Sequence, residues 1–354
     1  MKRPVALSIR NADMQGDRIF DLPADGPVDQ APYTPWRLVR EYGAAAGLEV
    51  MTADQVFARG IDPRTVSVIS YDWPPATDAL VSQGAHLQVL TSLEPPVIAW
   101  ELYYHLPRLS TLFPHVFLFS GGRPRVAEKA KFHSLYFPQV RQPVTESKKR
   151  KFLVSITSNK AIVRSFTRWF DRPREVSVKR ELASRFYPPI GRDLYLERLR
   201  AVAHFAGRDG FDVFGQGWGR RHPAVPAHLH EAVLRAYRGP VREKLEMLAQ
   251  YRFALCFENS QFEGYVSEKI FDCFFAGTVP IYLGAPDITR YVPPSAFIDF
   301  RDFGSYRELE VFLDGLSEAR TREYLEAAAA FLRSERYKPF TAECFAQQIV
   351  QMLT

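Results

Sequence analysis

Short apolar runs rich in β-branched and aromatic residues alternate along the chain with longer segments whose apolar residues recur at helical spacing. In the first half, "VALSI" (5–9), "LEVMT" (48–52), "VSVISYDW" (66–73), "LQVLTS" (87–92) and "HVFLFSG" (115–121) read as strands. "TPWRLVREYGAAAG" (34–47), closed by Gly47, and "ATDALVSQG" (76–84) read as helices. This alternation is that of βαβ units and predicts a parallel sheet. A polar, proline-containing interval, "PQVRQPVTESKKRK" (138–151), then reads as an interdomain linker. Beyond it the alternation resumes, with strands at 152–158, 211–215, 252–257, 278–284 and 296–300 and helices at 161–170, 191–206 and 241–250. Three more helical patterns, 304–315, 318–333 and 341–353, complete the chain. The expected architecture is α/β: two Rossmann-like, doubly wound domains, 1–145 and 146–335, facing across a cleft. A C-terminal helix in 336–354 is placed to pack back on the first domain. Ligands of such sheets bind beyond the carboxyl ends of the strands.

A length of 354 residues agrees with two domains, being more than one hydrophobic core usually serves. The net charge of +6 suits an anionic ligand, but the basic residues are dispersed, which argues against nucleic acid as a partner. The densest basic run is "KKRK" (148–151), a solvated linker, or a contact with an anionic substrate or, weakly and peripherally, with acidic lipid. Cys256, Cys273 and Cys344 have the spacing of neither a disulfide framework nor a zinc site, so packing roles and a reducing, cytoplasmic compartment are expected. The N-terminal apolar segment is too short for a signal peptide or a membrane span, so no integral membrane segment is expected. GxxxxGK[ST], GxGxxG after a strand, HExxH and GxSxG are all missing, which disfavours the enzyme classes built on them.

The chemistry concentrates in "FALCFENSQFEGYVSEKIFDCFFAGTVPIYLG" (253–284). Its first strand is continuously apolar, as when both faces are covered, and ends in Glu258 and Asn259. Gly264 allows a tight turn, and a helix is predicted from near Val266 to the stop at Gly277. Glu268 and Lys269 then lie in its first turn. Glu268 suits the positive end of the helix dipole; Lys269 opposes it, at a cost of about 0.3–1 kcal/mol unless an anion offsets it. A diphosphate at the helix start would be such an anion, and a plain surface ion pair is the alternative. Gly215, in "FDVFGQGW", marks a close backbone approach or an ordinary turn. In "SITSNKAIVRSF", Ser158 stands at a strand end, and Arg164 is placed to clamp a phosphate or to face solvent.

The stretch 256–303, "CFENSQFEGYVSEKIFDCFFAGTVPIYLGAPDITRYVPPSAFIDFRDF", resembles the signature of glycosyltransferase family 10, the α-1,3/4-fucosyltransferases, with Ser267 in place of the usual threonine. Blocks at 152–166 and 211–218 match more weakly, and the N-terminal half matches poorly. The resemblance implies the GT-B fold and an inverting transfer of fucose from GDP-fucose to a glycan hydroxyl. GlcNAc-containing acceptors and an α-1,3 linkage are the family expectation, and no essential metal or other cofactor is expected. The donor would be held by Arg164 and Lys269 at the diphosphate and lined by Asn259, Tyr265, Glu268, Ser158 and Gly215, with Glu268 in a catalytic role at the ribose or fucose. The family's base, a glutamate just past a strand of the N-terminal domain, falls on Glu94 of "LQVLTSLEPPVIAW", stiffened by Pro95 and Pro96. Glu101 is the second choice for the base; with Trp100 and Tyr103 it is otherwise placed in the acceptor site, the aromatics being core residues in the plainer reading. Two further readings remain: transfer of another nucleotide-activated sugar, or a non-catalytic glycan- or sugar-nucleotide-binding protein.

Overall fold

The computed structural model describes residues 2–23, 33–144, 151–159, 174–219 and 227–354. Two compact units divide the chain: Met1–Val140 with Glu263–Tyr265 and Lys338–Thr354, and Arg141–Phe262 with Val266–Tyr337.

The first unit holds a six-stranded parallel sheet of β1 (Arg3–Ser8), β2 (Leu48–Thr52), β3 (Ser67–Tyr71), β4 (His86–Thr91), β5 (His115–Leu118) and β6 (Lys131–Ser134). Their spatial order is β2-β1-β3-β4-β5-β6. Helices α1 (Pro35–Ala45), α2 (Ala53–Ala58), α3 (Pro75–Ser82) and α4 (Trp100–Leu109) make the crossovers. The central strands carry unbroken apolar runs because helices cover both faces; Val5, Ala6, Leu7, Val68 and Ile69 are fully buried.

The second unit repeats the plan with β7 (Lys151–Ile156), β8 (Phe211–Phe214), β9 (Tyr251–Phe257), β10 (Val279–Leu283) and β11 (Ile298–Asp299), in the order β11-β10-β9-β7-β8. Its helices are α5 (Arg174–Phe186), α6 (Tyr195–Phe205), α7 (Ala227–Ala236), α8 (Lys244–Leu248), α9 (Glu268–Phe275), α10 (Tyr306–Gly315) and α11 (Glu318–Leu332). The last helix, α12 (Ala342–Leu353), returns to the first unit, where Phe345 meets Trp36 of α1 edge-on at 5.4 Å between ring centres.

In both sheets the winding reverses beside the strand that comes first in the chain. The reversal lies between β1 and β3 in the first unit and between β7 and β9 in the second. At such a switch point the crossovers leave on opposite faces, and a crevice opens beyond the carboxyl ends of the two strands. Ser8 and Asp72 stand at the first crevice, Thr157 and Glu258 at the second.

Candidate functional site

At the second crevice β9 ends at Phe257, and Glu258 still donates its N–H to Leu283 O at 2.8 Å. Gly284 opposite is obligatory: a Cβ there would meet Glu258 Cγ and the Tyr282 hydroxyl, each at 2.4 Å. The Glu258 carboxylate is fully buried and accepts from Ser267 N–H at 2.8 Å, Ser267 Oγ at 2.7 Å and Lys269 Nζ at 3.1 Å. Ser267 is also the N-cap of α9, so the helix starts at Glu268 and not near Val266. Lys269 is 16 % exposed and reaches Glu268 at 3.5 Å as well. The anion that offsets its unfavourable place in the first turn is thus supplied inside the protein, by Glu258 and Glu268. Burial alone would push the Glu268 carboxyl up, but Lys269 and then Lys244 outweigh it and hold the group down at about 2. The same two carboxylates, Glu258 and then Glu268, push Lys269 up against its own desolvation.

Asn259 is drawn into the same place by Arg198 of α6, which donates to Asn259 Oδ1 at 2.9 Å, to Thr157 Oγ1 at 3.1 Å and to Phe257 O at 3.0 Å. Arg198 is buried and ties the carboxyl ends of β7 and β9 together. The sequence reading did not include it. The signal was an arginine on the apolar i, i+4 row Leu194, Arg198, Val202, where a solvent-facing residue has no place. Lys244 and Asp272 were missed likewise. Lys244 Nζ lies 2.6 Å from Asp272 Oδ2, with the lysine 8 % and the aspartate 0 % exposed.

Ser158 follows the end of β7. Gly215 has φ of +127°, and a Cβ on it would lie 2.2 Å from Thr157 O. The close approach it permits is therefore to the backbone after β7, and Tyr237 Oη donates to its carbonyl at 2.9 Å. Tyr265 is not grouped with these residues: it belongs to the first unit, packed edge-on against Phe119 at 5.1 Å, beside the hydrogen bond from Gly121 N–H to Glu263 O. Arg164, the helix expected at 161–170 and Lys148–Arg150 lie outside the described residues. Lys151, the last of the basic run, begins β7 and binds Asp212 at 2.7 Å.

In the first unit Glu94 stands just past β4, partly buried, its N–H donating to Ser92 Oγ at 3.1 Å. Trp100 and Glu101 open α4, and Glu101 is exposed and 3.6 Å from Arg10. Tyr103 is fully buried, as the core reading has it. Among the described residues no group of three or more His, Cys, Asp or Glu is placed to hold a metal ion, and no helix is long and apolar enough to cross a membrane.

The fold resembles solved glycosyltransferases along its whole length. The crystal structure of an alpha1,3-fucosyltransferase with GDP superposes with a TM-score of 0.51 at 15 % identity, covering 99 % of this chain and 91 % of that one. A DNA-modifying beta-glucosyltransferase superposes at 0.54 and 12 % identity, covering 98 % and 99 %. The chain has the GT-B fold of this class. Residues 192–327 match the family described as glycosyltransferase family 10 (fucosyltransferase) C-term, and this segment belongs to that family. Human alpha-(1,3)-fucosyltransferase 7 is 49 % identical over 130 residues, 36 % of this chain and 33 % of that protein. The Helicobacter pylori alpha-(1,3)-fucosyltransferase FucT is 47 % identical over 68 residues, 19 % of this chain and 14 % of that protein. The chain thus matches a third or less of the length of these relatives.

Proposed function

We propose that this chain is an inverting fucosyltransferase that moves L-fucose from GDP-fucose to a hydroxyl of a GlcNAc-containing glycan, forming an α-1,3 linkage. The observation that carries the reading is the position of the family segment: its "FENS" and "SEK" residues form the switch-point end of β9 and the start of α9, where a doubly wound sheet takes its ligand. The second unit is the donor unit and the first the acceptor unit. Arg164 holds the diphosphate together with the N–H groups at the start of α9, with Lys269, already paired to Glu258 and Glu268, adding its charge beside them, while Asn259, Ser158 and Gly215 line the donor. Glu268, kept ionised by Lys269 and Lys244, faces the ribose or the fucose ring.

Cleavage of a glycosyl–phosphate bond builds positive charge on the sugar ring and negative charge on the departing GDP. Fixed cations that neutralise the second charge accelerate the step without a metal ion, and an ionised Glu268 stabilises the first. Inversion further requires a base on the face opposite the leaving group, and Glu94 takes the proton of the acceptor hydroxyl. Three free cysteines, two of them buried, support placing the protein in a reducing, cytoplasmic compartment.

Release of GDP from GDP-fucose, with and without N-acetyllactosamine, tests the reaction. Glu94→Gln is expected to lower acceptor-dependent turnover by about 10²–10⁴-fold and to leave GDP affinity within a few-fold. Unchanged turnover removes Glu94 as the base. A thermal shift with UDP and none with GDP removes the donor assignment.

A further inference from the structure

We propose that His115 of β5 and His133 of β6 form an acid-sensitive latch on the edge of the first unit's sheet: the hydrogen bond between their rings holds the edge strand near neutral pH and is lost when both rings are protonated. Neither ring belongs to the residues named for the donor, the acceptor or the base.

The strand β6 ends the order of the first sheet, so among the described strands only β5 pairs with it. Their parallel register sets Lys131 opposite His115 and His133 opposite Phe117. Paired residues of parallel strands share a face, and so do residues two apart along a strand. His115, Lys131 and His133 therefore lie on one face. There His115 Nδ1 stands 3.1 Å from His133 Nε2, with the ring centres 5.2 Å apart and the planes tilted by 49°. Among the described residues this is the one hydrogen bond between side chains of β5 and β6. On the other face Phe132 is only partly buried, with the Arg123 guanidinium 6.0 Å from its ring centre. A strand with so little apolar burial depends on its backbone ladder and on this cross-strand pair.

A neutral imidazole carries one N–H and one bare nitrogen, and a protonated one carries two N–H groups. The bond between the rings needs one nitrogen of each kind. A first proton can enter on the outer nitrogen of the donating ring and leave the bond in place. A second puts an N–H on both facing nitrogens and a charge on both rings. The surroundings resist even the first. Burial and then Lys131 push His115 below its ordinary 6.5, and burial, the charge on His115 and Lys131 do the same to His133. Among the described residues the charges acting on the pair are thus all positive. When β6 lifts away the rings regain water and their ordinary affinity for protons, so the open strand binds more protons than the closed one. The closed form is then at its most stable above the ordinary histidine range and loses ground as pH falls. Acid therefore opens the edge of the sheet, exposing the unpaired N–H and C=O groups of β5. It does so a few residues before the chain leaves the first unit after Val140.

Amide hydrogen exchange at 131–135, divided by the intrinsic exchange rate, reads the opening of β6 between about pH 7.5 and pH 5. The opening equilibrium is expected to rise on acidification, by up to about tenfold per pH unit for each proton taken up. Glutamine donates and accepts hydrogen bonds but does not titrate. His115→Gln/His133→Gln is therefore expected to flatten the profile, and each single variant to retain at most the slope of one proton. Lys131→Gln removes a like charge and is expected to make the wild-type profile shallower. Ring NMR shifts of the wild-type chain need no variant, and both rings are expected to titrate below 6.5. An opening of β6 that does not change with pH, a double variant as steep as wild type, or rings that titrate at or above 6.5 would each overturn the latch.

Discussion

The charge state of single residues decides how the α9 start behaves. Glu258, Glu268 and Lys269 lie within one hydrogen-bonded cluster, and each carboxylate is tolerated there because a cation faces it. Glu268 illustrates the linkage. Its carboxyl is held at about 2 against an ordinary 4.5, the two lysines outweighing burial. A folded-state value below the unfolded one adds stability above the unfolded value, and that stability disappears as pH falls through the folded value. The stability difference between wild type and Glu268→Gln is therefore expected to be constant above about pH 5 and to shrink steadily toward pH 2. Urea unfolding across that range measures it. A difference that does not change with pH would mean that Glu268 has no depressed carboxyl in the folded chain.

At the scale of elements, α9 is a short helix anchored by charge as well as by apolar packing. Ile270, Phe271, Phe274 and Phe275 are buried around it, yet Asp272 in their midst is fully enclosed and answered by Lys244 of α8, with Arg141 at 3.8 Å. Breaking a buried pair leaves a charge without its partner, whereas replacing both partners by apolar groups removes the problem. Lys244→Met is expected to destabilise the second unit by about 3–5 kcal/mol, and Lys244→Met/Asp272→Leu to recover most of that loss. Denaturant unfolding of the two single variants and the double variant forms the cycle, and strictly additive losses would show the pair to be uncoupled.

The alternation of patterns made the strands of both sheets legible because parallel strands covered on both faces are long apolar runs. It also placed the α12 segment as a helix. The edge strand β6, "KFHS", escaped because it is polar and only partly buried, and α4 escaped because Pro107 interrupts its helical pattern. In the site, the "FENS" and "SEK" residues were legible from the letters. Their partners Arg198, Lys244 and Asp272 were not, since each is a long-range contact made by a charged residue on an apolar face. For Lys269 the letters leave an outside anion and a surface ion pair both open, because nothing in the local sequence says that Glu258, eleven positions earlier, folds onto it.

On the scale of the whole chain, the path leaves the first unit after Val140 and returns to it at Lys338, so residues remote in sequence complete one core. Phe345, Ile349, Met352 and Leu353 of α12 are all buried, and Phe345 meets both Trp36 and Phe117. Each such side chain contributes about 1.5–3 kcal/mol by burial, so four together rival the roughly 5–15 kcal/mol net stability of a typical domain. The second unit has its own core, built on Phe253, Leu255, Val279 and Ile281, which includes nothing from α12. Loss of α12 should therefore unfold the first unit and spare the second. Phe345→Ala is expected to destabilise only the first unit, by about 3–5 kcal/mol, and deletion of 338–354 to abolish that unit's transition while the second persists. Calorimetry, with hydrogen exchange to assign each transition, reads both outcomes. Equal weakening of the two transitions by Phe345→Ala, or a deletion that leaves both intact, would show that α12 does not complete the first unit's core.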